Sequence, residues 1–279
     1  MCIRDSFCYD PSQDKWTDLP PLPVRWFGLG QVNGKLVAVG GKTNRDNRHT
    51  NEVYTYNEQA RKWKQTPPPM PTARRDPSVV SLQSALVVAG GFISSAASSG
   101  EALSTCVVEI FKPATSQWYR TDPLPAQCLC MSLVAIGNTF YALGGDKSSD
   151  INYALHASVD DLLRNAVPVN QTTHSSNSDT QSAWKTLPNT PTYRPVAAML
   201  AGNLLAIGGH ETSKEGVEKK EVYMYSSSTN SWIYISDLPA PQARSIVATL
   251  SSMEILVIGG YGDGGNVNTV YSGTLTMNA

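Results

Sequence analysis

Five arginines, Arg25, Arg74, Arg75, Arg194 and Arg244, each follow closely on a proline-rich step. A guanidinium is a planar fork of hydrogen-bond donors that matches a carboxylate, so this recurrence points to recognition of acidic groups. Covalent and metal chemistry finds less material. The four histidines, at 49, 156, 174 and 210, are far apart and form no short-spaced pair with another ligand. Cys2, Cys8, Cys106, Cys128 and Cys130 are odd in number and fit neither a disulfide framework nor a zinc knuckle, which favours a reducing, cytoplasmic setting. No serine stands in a nucleophile elbow, and Gly262-Asp263-Gly264-Gly265 opens no helix that could cradle phosphate. No catalytic residue, metal site or cofactor is therefore assigned.

The bulk chemistry narrows the partners. Twenty-two Lys and Arg oppose 23 Asp and Glu, a net charge of −1, which argues against broad binding to nucleic acid or an anionic membrane surface. No apolar run approaches the roughly 20 residues that span a bilayer. Residues 1–20 also lack the apolar stretch of a secretion signal. At 41% hydrophobic and 16% charged residues, the chain reads as folded throughout.

The elements that must position the arginines are announced by a repeat. An apolar run ends in a glycine pair five times: Gly40-Gly41, Gly90-Gly91, Gly144-Gly145, Gly208-Gly209 and Gly259-Gly260. The first glycines are 50, 54, 64 and 51 residues apart, far longer than a two-helix repeat. In phase with them, an aromatic residue precedes a tryptophan by seven positions, at Tyr9/Trp16, Tyr56/Trp63, Phe111/Trp118 and Tyr225/Trp232, while Trp184 has lost its aromatic partner to an insertion. Proline clusters follow, at 20–23, 67–71, 123–125, 188–191 and 239–241, and proline cannot donate to a strand ladder. Asn33-Gly34 and Gly137-Asn138 supply tight hairpin turns. Each unit thus scans as strand a, turn, strand b ending in Gly-Gly, loop, strand c ending at the aromatic, turn, and strand d carrying the tryptophan. Such a four-stranded antiparallel sheet must bury both faces against its neighbours. The glycines let the chain turn, the tyrosines and tryptophans pack between sheets, and none of them is expected to do chemistry.

Gly-Gly, Tyr and Trp in this order and phase resemble the kelch repeat of kelch-like ubiquitin-ligase adaptors, from Phe7 to about residue 275. The resemblance implies an all-β, kelch-type β-propeller of four-stranded blades around a channel, with five blades here from a ring of six. Met1–Ser6 fits no blade and reads like a translated sequencing adapter, which predicts a non-native leader (1–6) before one propeller domain (7–279) and a gene fragment whose start lies upstream. Phe7–Asp10 looks like the end of a strand c, and Asn268–Leu275 like a strand c with no strand d after it. Either Lys15–Leu19 supplies that last strand or it stays absent. Residues 164–181, rich in Ser, Thr, Asn and Gln, are expected to be a flexible loop between strands c and d.

In such a blade, residues just before strand a surround the channel mouth, which is where the five arginines fall. Loops between strands b and c add Lys42, Asn44, Arg45, Arg48, Asp146, His210, Glu211, Lys214 and Tyr261. In adaptor-type kelch rings, arginines at matching positions bind acidic peptide segments. Arg74, Arg194 and Arg244 match that place best, with Gln127 standing there in another blade. The resemblance thus implies a protein-binding module at the mouth face, possessing Arg25, Arg74, Arg75, Arg194, Arg244, Asn44 and Tyr261 as its partner-binding set, with an acidic peptide as partner and an adaptor role in ubiquitin ligation. The alternative is a small-molecule enzyme of the sialic-acid mutarotase or copper-oxidase type, whose ligand set this sequence does not reveal.

Overall fold

A computed structural model describes residues 6–66, 68–82, 84–94, 102–125, 129–146, 151–169, 182–211, 217–262 and 264–274. They fall into two compact units, Met1–Pro123 with Ala166–Ser175, and Leu124–Asn165 with Ser176–Ala279.

The first unit opens with a hairpin, Ser6–Asp10 against Lys15–Leu19, forming a two-stranded sheet of its own. Ser6 already pairs with Leu19, and residues 1–5 lie outside the described set. Blade 1 follows with Gly28–Val32, Lys35–Val39, Val53–Asn57 and Lys62–Gln65 as strands a to d. Its a–b turn has both Asn33 (φ 49°) and Gly34 (φ 74°) left-handed, the backbone of a two-residue type I′ hairpin. Blade 2 comprises Ser78–Ser81, Leu86–Ala89, Val108–Lys112 and Gln117–Thr121, plus a fifth short strand, Val167–Pro168. One core joins the facing sheets: Val37, Val39 and Val53 of blade 1 with Leu86, Val88 and Trp118 of blade 2. Strand b is buried on both faces, which is why Leu86–Ala89 contains no polar side chain. Burying each Val or Leu stabilises the fold by about 1.5–3 kcal/mol.

In the second unit, blade 3 comprises Leu129–Ile136, Thr139–Asp146, Ile151–Ser158 and Lys185–Thr186, and blade 4 comprises Val196–Leu200, Asn203–Ile207, Glu221–Ser226 and Ser231–Asp237. Blade 5 has three strands, Ile246–Ser251, Glu254–Gly262 and Gly265–Thr274. Leu143 and Ala154 pack on Ala197, Leu204 and Ala206 between blades 3 and 4, and Leu205 and Ile207 pack towards Ile255 and Val257 between blades 4 and 5.

The aromatic–tryptophan spacing of seven is a direct cross-strand pair. Tyr9, Tyr56, Phe111 and Tyr225 stand opposite Trp16, Trp63, Trp118 and Trp232, with ring centroids 4.9–5.5 Å apart. Each four-residue c–d loop ends in a left-handed residue, Asp14, Arg61, Ser116 or Asn230 (φ 46–52°), which returns the chain into strand d. The rings therefore pack first on each other within a blade. Two tryptophans also reach the preceding proline step: the indole N–H of Trp118 donates to the Pro68 carbonyl (3.1 Å), and that of Trp232 to the Pro188 carbonyl (2.9 Å).

Blade 3 departs from the repeat. Its register, Leu155 opposite Thr186 and His156 opposite Lys185, puts Ala157 across from Trp184, so the partner position is kept and holds an alanine. Gly144 and Gly145 do not turn; they continue strand b, paired with Tyr153 and Asn152. In blades 1, 2 and 4 the glycine pair turns as expected, and in blade 5 Gly259 and Gly260 are left-handed at a register shift within strand Glu254–Gly262. Gly41 has φ 104°, and a Cβ there would sit 2.6 Å from the Arg25 carbonyl; Gly209 repeats this against Tyr193. A side chain is therefore excluded where the chain crosses its own lead-in to strand a.

The 164–181 segment is not loop throughout. A helix, Val159–Arg164, is capped by the Ser158 hydroxyl accepting from the Asp161 N–H, with Leu162 buried. Val167–Pro168 then joins blade 2, while 170–181 lie outside the described residues. Among the described residues no helix is long and apolar enough to cross a membrane.

Candidate functional site

The lead-in to strand a repeats one backbone construction in four blades. A residue before strand a pairs with the residue after the Gly-Gly turn: Arg25 with Lys42, Arg75 with Phe92, Tyr193 with His210, and Ala243 with Tyr261. The next residue is left-handed each time: Trp26 (φ 55°), Asp76 (50°), Arg194 (51°) and Arg244 (57°). That conformation costs a non-glycine residue about 1–3 kcal/mol, and its fourfold recurrence shows that the fold imposes it. A tryptophan is the least suited of the four occupants.

In the first unit this construction builds a cationic–aromatic cluster. The Trp26 ring is 46% exposed, and the Arg25 and Arg75 guanidinium carbons lie 5.1 Å and the Lys42 ammonium 5.5 Å from its centroid. Arg75 also lies 4.2 Å from the Phe92 ring and pairs with Asp76. Arg25 donates to Asn44 Oδ1 (3.4 Å) and to the Asn47 side chain, and Asn44 Nδ2 is tied to the Leu22 carbonyl (3.1 Å). The backbone N–H of Asp76 donates to the Trp26 carbonyl (2.7 Å), locking the two lead-ins together. His49 bridges Lys42 through the backbone, and burial, then the charges of Arg75 and Lys42, hold its pKa below the usual histidine value. Three cations thus face one carboxylate around an open indole. Such a surface can accept an anionic group on its guanidinium edges and an apolar group on its ring.

Arg74 does not belong to this face. Its side chain is fully buried and donates to the carbonyls of Gly90 (3.0 Å) and Val107 (2.8 Å) and to Glu109, which also accepts from Thr72 (2.7 Å) and Arg120 (3.1 Å). Its counterpart in blade 4 is Thr192, whose hydroxyl donates to the Gly208 carbonyl (2.6 Å), and in blade 5 Gln242, which bonds Thr269. The position ties the lead-in to its own blade, and in this register Arg194 and Arg244 align with Asp76, two residues beyond Arg74. Glu109 was the missed signal, since a carboxylate between Val108 and Ile110 in a buried strand demands a counter-charge.

In the second unit Arg194 is nearly buried, 5.0 Å from the Tyr193 ring, and the buried His210 pairs through the backbone with Tyr193. Arg244 is exposed and Tyr261 half-buried, one residue apart on paired lead-in strands. Arg45 and Arg48 are exposed, with Arg48 bound to Asp46 (2.6 Å), and Glu211 pairs with Lys219 (3.4 Å). Asp146 ends strand b of blade 3, whereas Gln127 and Lys214 lie outside the described residues. Among the described residues no three His, Cys, Asp or Glu side chains gather as metal ligands. Sequence reasoning missed Trp26 because a lone tryptophan outside the seven-residue pattern carried no visible role.

The Kelch motif family model matches residues 27–70 and 73–125, covering blades 1 and 2. Those two stretches are kelch repeats. Kelch-like protein 40 of Mus musculus is 32% identical over 139 residues, half of this chain and 21% of that protein. Kelch-like protein terF of Aspergillus terreus is 26% identical over 269 residues, 91% of this chain and 55% of the relative. The chain thus spans about a fifth to just over half of the length of these relatives. The solved structure of YjhT covers 92% of the chain at a TM-score of 0.70 and 15% identity, a likeness that shows the fold: an all-β propeller of antiparallel blades, five of them in this chain.

Proposed function

We propose that this chain is a protein-binding module rather than an enzyme, and that the cluster around Trp26 receives a carboxylate-bearing segment of a partner. The observation that carries the reading is the half-exposed indole held in a left-handed conformation among Arg25, Lys42 and Arg75. Charge complementarity gives such a site its specificity and its speed of encounter. Arg25 and Arg75 are its anchors, Asn44 fixes Arg25, and Trp26 supplies apolar contact. In the second unit the exposed Arg244 and the half-buried Tyr261 offer a smaller pair of the same kind. An adaptor role, with the propeller as substrate receptor of a ubiquitin ligase, is the broader setting we propose.

The experiment is titration of the chain with a fluorescein-labelled hexaglutamate peptide, read by anisotropy and by tryptophan fluorescence. Saturable binding is expected that weakens with salt, and that falls at least tenfold in Arg25→Ala/Arg75→Ala and in Trp26→Ala. Equal affinity of wild type and the double arginine variant would overturn the proposal. A carboxylated sugar binding more tightly than the peptide would favour the small-molecule reading instead.

A further inference from the structure

Among the described residues, blade 2 carries a strand beyond d. Val167–Pro168 lies antiparallel along the outer strand Gln117–Thr121, with Arg120 opposite Val167 and Tyr119 opposite Pro168, and the Val169 N–H donates to the Trp118 carbonyl (3.3 Å). Side-by-side alternation then sends the backbone groups of Trp118 and Arg120 outward to this strand, while those of Tyr119 face strand c. Pro168 stands opposite Tyr119, where its own backbone groups point to solvent, so its missing N–H removes no ladder bond. The same feature leaves no donor for a further strand on the outside. Val169 packs on the core cluster that contains Trp118. Beside the strand is a cleft of about 440 Å³, walled by Pro68, Met70, Trp118, Pro168 and Val169.

From this we infer that the outer edge of blade 2 is a strand-accepting site, filled in cis by the chain's own Ala166–Val169. Three features match occupant to site. Its register turns outward Pro168, which has no N–H to leave unpaired, its valines are β-branched and suit a strand, and Val169 packs against the blade core while Val167 is exposed. The segment follows a helix and is only two paired residues long, so it is held by few bonds and is poised to exchange with an extended strand of the same Val-Pro-Val pattern. The cis segment has the advantage of high effective concentration, so the site opens only when that segment is released. This device is separate from the Trp26 cluster and stands whether or not that cluster binds acidic peptides.

Amide hydrogen exchange tests it. In wild type the Arg120 and Val169 amides should be protected together. In Val167→Asp/Val169→Asp, Arg120 should exchange at least tenfold faster while Tyr119, bonded to strand c, keeps its protection. A blocked peptide Asn-Ala-Val-Pro-Val-Asn at millimolar concentration should restore Arg120 protection in the variant and change wild type little. A variant with Tyr119 protected and Arg120 unaffected by the peptide overturns the inference. Should the variant unfold, wild type decides alone: an Arg120 amide exchanging as freely as a loop amide is equally fatal.

Discussion

The guanidinium of Arg74 and the carboxylate of Glu109 meet inside blade 2 with no exposed surface on either side chain. Burial pushes the Arg74 pKa down, and Glu109 beside it pulls against that. The pair joins the lead-in of strand a to strand c of one blade, and two backbone carbonyls depend on the same guanidinium.

Removing one member should therefore leave an unpaired buried charge. Arg74→Met and Glu109→Gln are each expected to cost about 3–5 kcal/mol in urea unfolding followed by tryptophan fluorescence. The double variant should cost less than the sum, because the second change removes a charge the first had stranded. Additive losses would mean that the two side chains act independently.

How much of this was legible beforehand depends on the scale of the feature. The Gly-Gly, aromatic–tryptophan and proline marks repeat on a period that only a blade explains, and the spacing of seven translates into cross-strand pairs at Tyr56/Trp63 and its equivalents. Single-residue register was not legible. Arg74 and Arg75 are neighbours in sequence, yet strand alternation sends one into the blade and the other to the Trp26 ring. Ala157 opposite Trp184 was hidden because a long insertion separates the two strands that the spacing should connect. Val167–Pro168 lies in a polar stretch whose composition says loop, while its pairing is decided by an edge in another blade. Trp26 was invisible for the opposite reason: its importance comes from the cations around it, which arrive from Lys42 and Arg75 far along the chain.

His49 provides a pH-dependent reading of the same cluster. Its pKa is lowered by burial and by Arg75 and Lys42, so the unfolded chain takes up the proton first as pH falls. Stability should then drop as pH falls below about 6.5, the unfolded value, and level off below the folded-state pKa. His156, lowered by burial and by Lys185, acts in the same direction. Each can contribute at most about 1.4 kcal/mol per pH unit. His49→Gln should flatten part of the slope between pH 7 and 5, and His156→Gln the rest. Hexaglutamate bound at Arg75 should raise the His49 pKa in an NMR titration and leave His156 unmoved.

The two kinds of glycine in blade 1 separate conformational freedom from close approach. Gly34, in the a–b turn, has φ 74° and open space where a Cβ would go, whereas Gly41 has φ 104° and the Arg25 carbonyl 2.6 Å from that point. Gly34→Ala should cost about 1–2 kcal/mol, the price of a left-handed alanine alone. Gly41→Ala adds to this the displacement of a backbone carbonyl that belongs to the lead-in pair of Arg25 and Lys42. It should cost more than Gly34→Ala by thermal unfolding. It should also weaken hexaglutamate binding, because shifting Arg25 moves one of the three cations off the Trp26 ring. Equal stability losses at both positions, with peptide affinity intact, would show that the crossing beneath Arg25 yields without strain.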